Sequence, residues 1–296
     1  MALNLVTNKG MSSRDLVSLI LITFLWALCF PLIAVGLSAV SPLYFAALRS
    51  VVAGAGLLVP AFVMRRPLPR DRRVWLGLLG VGLSTTSLGF GGMFLAGGVV
   101  GPGLATVLAN AQPLIAAGLA HFVLDERLGL RRGLGLLLGF AGILLIALPG
   151  FGGGNANSSP EGVGYVLLGA VGVAVGNVLL KHLAGRVDPL MATGWQFILG
   201  SVPLFLAAQI LEAPAQVVWS PRFAIVLLAL GLLGTALAYA LWFSLMQRAE
   251  LNRLNTFTFL TPIFALIIGA VFFSERLRLI EVGGIVLTLA GVLWVI

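Results

Sequence analysis

Long apolar runs separated by short polar segments dominate the hydrophobic pattern of this chain. The first run, from Leu16 to Leu37, follows a polar segment carrying Lys9 and Arg14 and is too long for the core of a signal peptide, so we interpret it as a retained helix. Because about 20 apolar residues span a bilayer as a helix, turn and charge signals divide the chain into ten predicted spans. These are 15–37, 43–64, 74–96, 102–124, 131–149, 161–183, 189–211, 222–247, 253–274 and 279–296.

The second half of the chain repeats the first. A shift of 149 positions (262 − 113 = 149) lays Pro262 on Pro113 and carries residues 110–144 onto 259–293. The same shift pairs Glu126 with Glu275 and Gly135 with Gly284. Five helices per copy is an odd number, so the second copy enters the membrane upside down, which is the inverted-repeat plan of secondary transporters. We therefore predict an all-α membrane protein with repeats at 1–149 and 150–296, divided near the polar loop 151–160.

Composition and charge place the chain in the membrane class. It is 59% hydrophobic and 9% charged with a mean hydropathy of +1.09, whereas a soluble domain carries about 25% charged residues. Of 18 Lys and Arg residues, fourteen fall on the side of the amino terminus, three fall opposite, and Arg49 lies inside a span. This bias predicts cytoplasmic termini and explains the net charge of +8 without a nucleic-acid partner.

The sequence carries none of the patterns typical of enzymes. It has no metal-ligand spacing, nucleophile triad or phosphate loop, and the single Cys29 excludes an internal disulfide. We therefore predict a non-enzyme without a metal or cofactor, whose partners are the lipid bilayer and a small-molecule substrate.

Three sequence features together carry a resemblance to a known family. They are Trp26-Ala27 in the first span, Pro42 with Arg49 in the second, and a Pro…Glu-Arg-Leu…Ala-Gly signature that occurs twice. The chain resembles the drug/metabolite transporter superfamily, in particular its ten-helix EamA-type branch and, within it, the YddG-type exporters of aromatic and other neutral amino acids. The resemblance implies a bacterial inner membrane and export by alternating access. The second repeat departs from the pattern, with Gln196 in place of the arginine and Gly176-Asn177 in place of the tryptophan motif.

The repeat-related prolines are the candidate hinges. Pro113 and Pro262 fall near mid-membrane, and each proline removes a backbone donor and clashes with the carbonyl four residues earlier, at Ala109 and Thr258. Carbonyls freed in hydrocarbon must face protein or a water-filled cavity. The two prolines are therefore either hinges beside the substrate pathway or packed kinks.

Polar and aromatic side chains inside the spans are the candidate substrate contacts. Buried amides and hydroxyls turn inward, either toward a substrate or to bond a neighbouring helix. The aromatic rings either stack on a substrate or pack in the core, and Tyr239 and Trp242 share a helix face. The predicted site residues are Trp26, Thr85, Phe90, Phe94, Asn110, Gln112, Asn177, Tyr239, Trp242 and Thr258.

Charged groups near or inside the spans have two interpretations each. Arg49 lies about 10 Å into its helix and either binds a substrate carboxylate or reaches back to the membrane surface. Glu126-Arg127 and Glu275-Arg276 lie at helix ends and favour local capping over gating. The resemblance places the fifth and tenth helices at the periphery, which makes Gly135 and Gly139 packing or dimer residues and leaves monomer and homodimer open.

These patterns together predict an amino-acid exporter with its site between the repeats. An exporter of drugs or other metabolites is an alternative, although a carrier of cations would be expected to place an acidic residue at mid-membrane, where this chain has none. A channel-like facilitator and an integral-membrane transferase are further alternatives. Facilitated diffusion and proton antiport both remain open as coupling modes.

Overall fold

The fold is all helical throughout the part of the chain that the structure describes. The computed structural model describes residues 12–96, 100, 108–126, 129–151, 160–212, 217–272 and 278–295. The helices are α1 Ser13–Gly36, α2 Pro42–Val63, α3 Arg72–Ala96, α4 Gln112–Val123, α5 Leu130–Phe151, α6 Pro160–His182, α7 Pro189–Leu211, α8 Pro221–Met246, α9 in two segments, Leu251–Phe257 and Leu260–Phe272, and α10 Leu279–Val295.

Eight of the described helices are long and apolar enough to cross a membrane, and Gln112–Val123 and Leu279–Trp294 are shorter apolar helices. The prediction of an all-α membrane protein is confirmed. The first part of the predicted span 102–124, most of the loop 151–160, and Arg127, Glu275 and Arg276 lie outside the described residues. The division at residue 149 stays a prediction.

Several helices begin just after a short polar residue whose side chain caps the first turn. Ser12 and Asp15 form a reciprocal capping box at the start of α1. Asp188 accepts hydrogen bonds from the backbone N–H groups of Leu190 and Met191, and Pro189 occupies the first turn of α7, where a missing N–H costs nothing. These local signals explain why the predicted starts agree closely with the observed ones.

The helices alternate in direction, so the molecule has two ends. Three contacts define the end where α1 begins: Arg66 pairs with Asp188 at 3.5 Å, Arg248 pairs with Asp15 at 3.7 Å, and Arg131 Nε donates to the carbonyl of Trp294 at 2.8 Å. We call this the basic end and the opposite one the far end. Because Asp15 and Trp294 both lie there, α1 begins and α10 ends at the same end of the molecule.

The packing of the two halves follows the repeat. Helix α2 packs along α7, and α5 packs along α10. Helix α3 packs against α6 and α7 of the second half, while α8 packs against α1 and α2 of the first half. Helix α4 contacts α6, and the second segment of α9 makes the corresponding contact with α1. The sequence repeat is therefore visible as a pseudo-twofold arrangement of helices.

Glycines allow α5 and α10 to approach closely. A Cβ on Gly142 would lie 2.6 Å from the carbonyl oxygen of Gly284, and one on Gly291 would lie 2.7 Å from that of Gly135. A Cβ on Gly139 would overlap the ring of Phe259 at 2.5 Å. The small residues of α5, Gly135 and Gly139 among them, thus pack against α9 and α10 of the same chain.

Each third helix of a repeat contains a nine-residue π-helical segment, Gly82–Phe90 in α3 and Ala229–Leu237 in α8. Such segments are frequent at functional sites. The two lie against equivalent parts of the opposite half: a Cβ on Gly82 would lie 2.7 Å from the carbonyl oxygen of Gln196, and one on Gly231 would lie 3.4 Å from that of Arg49. The sequence did not predict either segment.

Both predicted proline kinks coincide with interruptions of a helix. The chain turns at residues 110–111 before Pro113 and at 258–259 before Pro262. The carbonyl of Thr258, which we expected proline to leave free, accepts a hydrogen bond from the Thr261 N–H at 3.0 Å. The expectation of a free carbonyl at Thr258 was therefore wrong, because the turn supplies a donor.

Candidate functional site

A continuous cluster of aromatic rings occupies the centre of the molecule. Tyr239 lies 5.6 Å from Trp26, 5.2 Å from Phe197 and 6.2 Å from Phe90, measured between ring centroids, and Trp26 lies 5.4 Å from Trp242. These separations are typical of favourable aromatic pairs. The cluster joins α1, α3, α7 and α8, so it lies where the two halves meet.

Arg49 lies beside this cluster and is 5% exposed. Its Nε donates to Thr235 Oγ1 at 2.7 Å, and its Nη2 lies 3.6 Å from Cys29 Sγ. Its guanidinium carbon stands 4.5 Å from the ring centroid of Phe90 and 5.9 Å from that of Phe94, both within cation–π range. Arg49 is buried in protein, so the alternative in which it reaches back to the membrane surface is wrong.

Arg49 has no carboxylate partner among the described residues. The ion pairs that these residues form all lie at the basic end, at Asp15, Asp188 and Glu250. A buried charge is costly unless it is paired, and a hydroxyl, a thiol and ring faces compensate it only in part. The positive charge of Arg49 is therefore not neutralised by the described residues, and a bound anion would neutralise it.

Two further predicted residues extend the cluster on the side of α6. Trp242 Nε1 donates to Asn177 Oδ1 at 3.2 Å. Gly176 has no room for a side chain because Thr85 of the α3 π-segment occupies the space, with its Cβ 2.9 Å from where a Cβ would be built. The structure thus brings together seven predicted residues and Arg49, which are Trp26, Thr85, Phe90, Phe94, Asn177, Tyr239, Trp242 and Arg49.

The other predicted residues lie at the helix interruptions rather than in the aromatic cluster. Asn110 is in the turn before α4, and Gln112 is the first residue of that helix. Thr258 is in the turn of α9, where its hydroxyl donates to the carbonyl of Asn255 at 2.7 Å. Trp195, another tryptophan inside a span, packs on Trp75 at 5.0 Å.

Three neighbours of the site were missed by sequence reasoning. Phe197 stacks on Phe90 at 6.0 Å, and Cys29 and Thr235 contact Arg49. The repeat offered a signal for Thr235, since it and Ser87 occupy nearly corresponding places and each donates a hydroxyl to the carbonyl five residues earlier, on Leu230 and Gly82. Nothing in the sequence distinguishes Phe197 from other apolar residues of α7.

A carboxylate of the first half caps a helix of the second half at the basic end. Glu126, in the loop after α4, accepts hydrogen bonds from the backbone N–H groups of Leu251 at 2.9 Å and Asn252 at 3.1 Å, at the start of α9. Burial raises the pKa of the Glu126 carboxyl above its ordinary value, although these two bonds lower it. The prediction that Glu126 caps locally is therefore corrected: it caps a helix, but one from the other repeat.

At the far end, a carboxylate of the second half caps a helix of the first half. Glu212, at the end of α7, accepts hydrogen bonds from the backbone N–H groups of Leu43 at 2.6 Å and Tyr44 at 3.2 Å, and from Ser41 Oγ at 2.5 Å. These groups lie at the start of α2. Because helix N-termini attract negative charge, each half holds one helix of the other by a carboxylate, at opposite ends.

The fold, the repeat and the central site define a membrane transporter of two related halves. The model of the EamA-like transporter family matches the chain twice, over residues 15–148 and 160–296. The chain belongs to this family, which is a family of transporters.

Individual relatives agree with this assignment. A WAT1-related chloroplastic protein of Arabidopsis thaliana is 33% identical over 277 residues, which are 91% of this chain and 66% of that protein, so the chain spans about two thirds of that relative. A probable amino-acid metabolite efflux pump of Escherichia coli is 28% identical over 290 residues, covering 95% of this chain and 94% of that one. A solved structure with a TM-score of 0.80 and 21% identity covers 96% of both chains and supports the fold.

Proposed function

We propose that the protein exports amino acids, aromatic and other neutral ones, by alternating access through a central site between its two halves. The observation that carries this proposal is Arg49, a buried cation without a carboxylate partner among the described residues. An intramembrane charge in a transporter commonly marks the substrate pathway. A substrate carboxylate would complete its charge balance.

The groups around Arg49 suit the rest of an amino acid. The aromatic rings of Trp26, Trp242 and Tyr239 offer faces for an apolar side chain and for the ammonium group. Trp26 Nε1 is buried and has no hydrogen-bond partner among the described residues, so it is available as a second donor to the carboxylate. The name of the Escherichia coli relative, a probable amino-acid metabolite efflux pump, agrees with this substrate class.

Contacts between the halves at both ends support alternating access. The cap from Glu126 joins the two halves at the basic end, and the cap from Glu212 joins them at the far end. A transporter that opens one end at a time must break the contacts between the halves at that end while it keeps those at the other end. The two caps are therefore suited to be gates. A channel-like facilitator would leave both sets open together.

The arginine bias between the two ends supports a bacterial inner membrane with the basic end in the cytoplasm. Single cysteines at Arg70 and Ser158, introduced without Cys29, test this orientation with an impermeant thiol reagent on intact cells. We expect labelling at 158 but not at 70. The reverse pattern would contradict export from the basic end.

Counterflow into proteoliposomes tests the substrate class. We expect unlabelled neutral amino acids inside the vesicles to drive uptake of a labelled aromatic one, and Arg49→Gln to lower this exchange strongly. Arg222→Gln is the matched control, because Arg222 is an exposed arginine at the far end. If a panel of neutral metabolites or drugs supports exchange while amino acids do not, the substrate assignment fails and the alternative substrate class takes its place.

A further inference from the structure

Two asparagines on the first segment of α9 are wholly buried and unusually placed. Asn252 and Asn255 are both 0% exposed and three residues apart, so their side chains share one face of the helix. None of the four polar atoms in their side chains has a hydrogen-bond partner in the part of the chain that the structure describes. Buried amides are normally satisfied, and each exception calls for an explanation.

The backbone around these amides is fully used, so the missing partners concern the side chains alone. The N–H of Asn252 donates to Glu126, and its carbonyl accepts from Thr256 Oγ1 at 3.2 Å. The carbonyl of Asn255 accepts from both the N–H and the hydroxyl of Thr258. Leu251 and Leu254, beside them on the same helix, are buried in the apolar core. Apolar residues therefore fit this segment, and packing alone does not require asparagine.

The position of the segment indicates where the amides belong in the pathway. The first segment of α9 contacts α1, α4, α5, α6, α8 and α10, which come from both halves. It begins at the basic end under the Glu126 cap and ends at the turn 258–259 before Pro262. Seven residues of helix cover about 10 Å, so the amides lie between the basic end and the middle of the molecule.

Two charged groups near this segment are already engaged at the basic end, whereas the buried Nε of Arg253, on the segment itself, has no hydrogen-bond partner among the described residues. Lys181 Nζ donates to the carbonyls of Met246 and Ala249, both at 2.5 Å, and Arg132 pairs with Glu250. The two amides and Arg253 Nε are thus polar groups of this segment that are left for a ligand. An amide offers an acceptor oxygen and two donors, which suits both the ammonium and the carboxylate of a zwitterion.

We propose that Asn252 and Asn255 form an entry subsite that binds the polar head group of an α-amino acid on its way from the basic end to Arg49. This proposal rests on the proposed function, since it takes the same substrate. With the basic end closed, as here, the amides are buried without partners. When that end opens, water and then the head group satisfy them.

The subsite predicts an effect on substrate affinity from one side only. In everted vesicles, which are recognised by an amino-terminal tag on their outer surface, the basic end faces the added substrate. In right-side-out vesicles the far end faces it. We expect Asn252→Leu and Asn255→Leu each to raise the half-saturating concentration about tenfold from the basic end and to leave it within about twofold from the far end. Asn255→Ser, which replaces the amide with a hydroxyl and so keeps a polar group, should give a smaller increase.

Two measurements separate this role from a structural one. Thr288→Val is the matched control, since Thr288 is also wholly buried but donates to Gly139 in the α5–α10 contact, and it should leave both affinities unchanged. The leucine variants should also melt at a higher temperature than the parent, because they remove unsatisfied amides; a structural role would lower it.

The outcomes distinguish the two proposals. Equal effects from both sides, or no effect from either, with an active parent, would overturn the entry subsite and leave the central site standing. A parent that exchanges no amino acid in these vesicles would overturn the proposed function itself.

Discussion

Replacing Glu126 with alanine tests how the basic end is held shut. Its carboxylate reaches from the loop after α4 to the backbone N–H groups of Leu251 and Asn252 in the other half. The substitution keeps the Cβ and removes both acceptor oxygens. If the two halves separate at this end during transport, the cap exists only while that end is closed, so its loss should favour the open state.

The size of the effect follows from the two bonds and the burial of the acceptor. Without the carboxyl group, two backbone N–H groups lose their acceptor in the closed state, and a buried donor left unsatisfied costs about 1–3 kcal/mol, which is the gain that the cap provides. The raised pKa of Glu126 shows that burying the carboxylate opposes part of this gain. A net contribution of about 2 kcal/mol would shift the equilibrium between closed and open states roughly 30-fold, since about 1.4 kcal/mol is a factor of ten.

Alkylation of a single cysteine at Thr256 measures this shift. Thr256 is 0% exposed on the first segment of α9, so a cysteine there reacts only when the basic end opens. In a background without Cys29, we expect Glu126→Ala to speed the reaction roughly 30-fold. Asp125→Asn is the matched control, because Asp125 is an exposed neighbouring carboxylate whose left-handed backbone, φ 53°, asparagine also adopts.

Two results would refute this reasoning. An unchanged alkylation rate in Glu126→Ala would show that the cap does not hold the end closed. An equal acceleration by Asp125→Asn would show that the loop responds to any lost charge.

Three further predictions use the same readouts. Glu212→Ala removes the far-end cap and should bias the protein the other way, slowing alkylation at Thr256. Because burial gives the closed state the higher Glu126 pKa, that state binds the extra proton. Lowering the pH from about 7 to about 5 should therefore slow alkylation at Thr256 more in the parent than in Glu126→Gln, where the rate falls only with the thiolate fraction of the cysteine. Pro113→Ala and Pro262→Ala should each lower transport severalfold at normal expression and bias alkylation in opposite directions; parent rates in both would contradict a hinge.

Local signals explain why the helices could be predicted. Pro42 and Pro189 start α2 and α7, and Ser12 caps α1, so each boundary is determined by residues next to it in sequence. The helix interruptions before Pro113 and Pro262 follow from the same local chemistry. The repeat then required the second half to be inverted.

Contacts between the halves could not be predicted because they depend on packing. Glu126 looked like a local cap, yet its two oxygens accept from N–H groups 125 and 126 residues away in sequence. Thr235 and Cys29 became neighbours of Arg49 only because α8 packs against both α1 and α2. Trp26 and Tyr239 were predicted because they lie inside the spans. Phe197 joins them only because α7 packs against helices that carry other rings of the cluster.

The central claim is that Arg49 binds the carboxylate of an amino-acid substrate, and a comparison of two ligands tests it most directly. Quenching of tryptophan fluorescence, which senses Trp26 and Trp242 at the site, would measure the affinities for an aliphatic amino acid and for the amine that lacks its carboxyl group. We predict that the parent prefers the amino acid at least about 30-fold, from about 2 kcal/mol for the charged contact, and that Arg49→Gln binds both ligands almost equally. A preference that survives in Arg49→Gln, or a parent that binds both ligands equally, would contradict the claim.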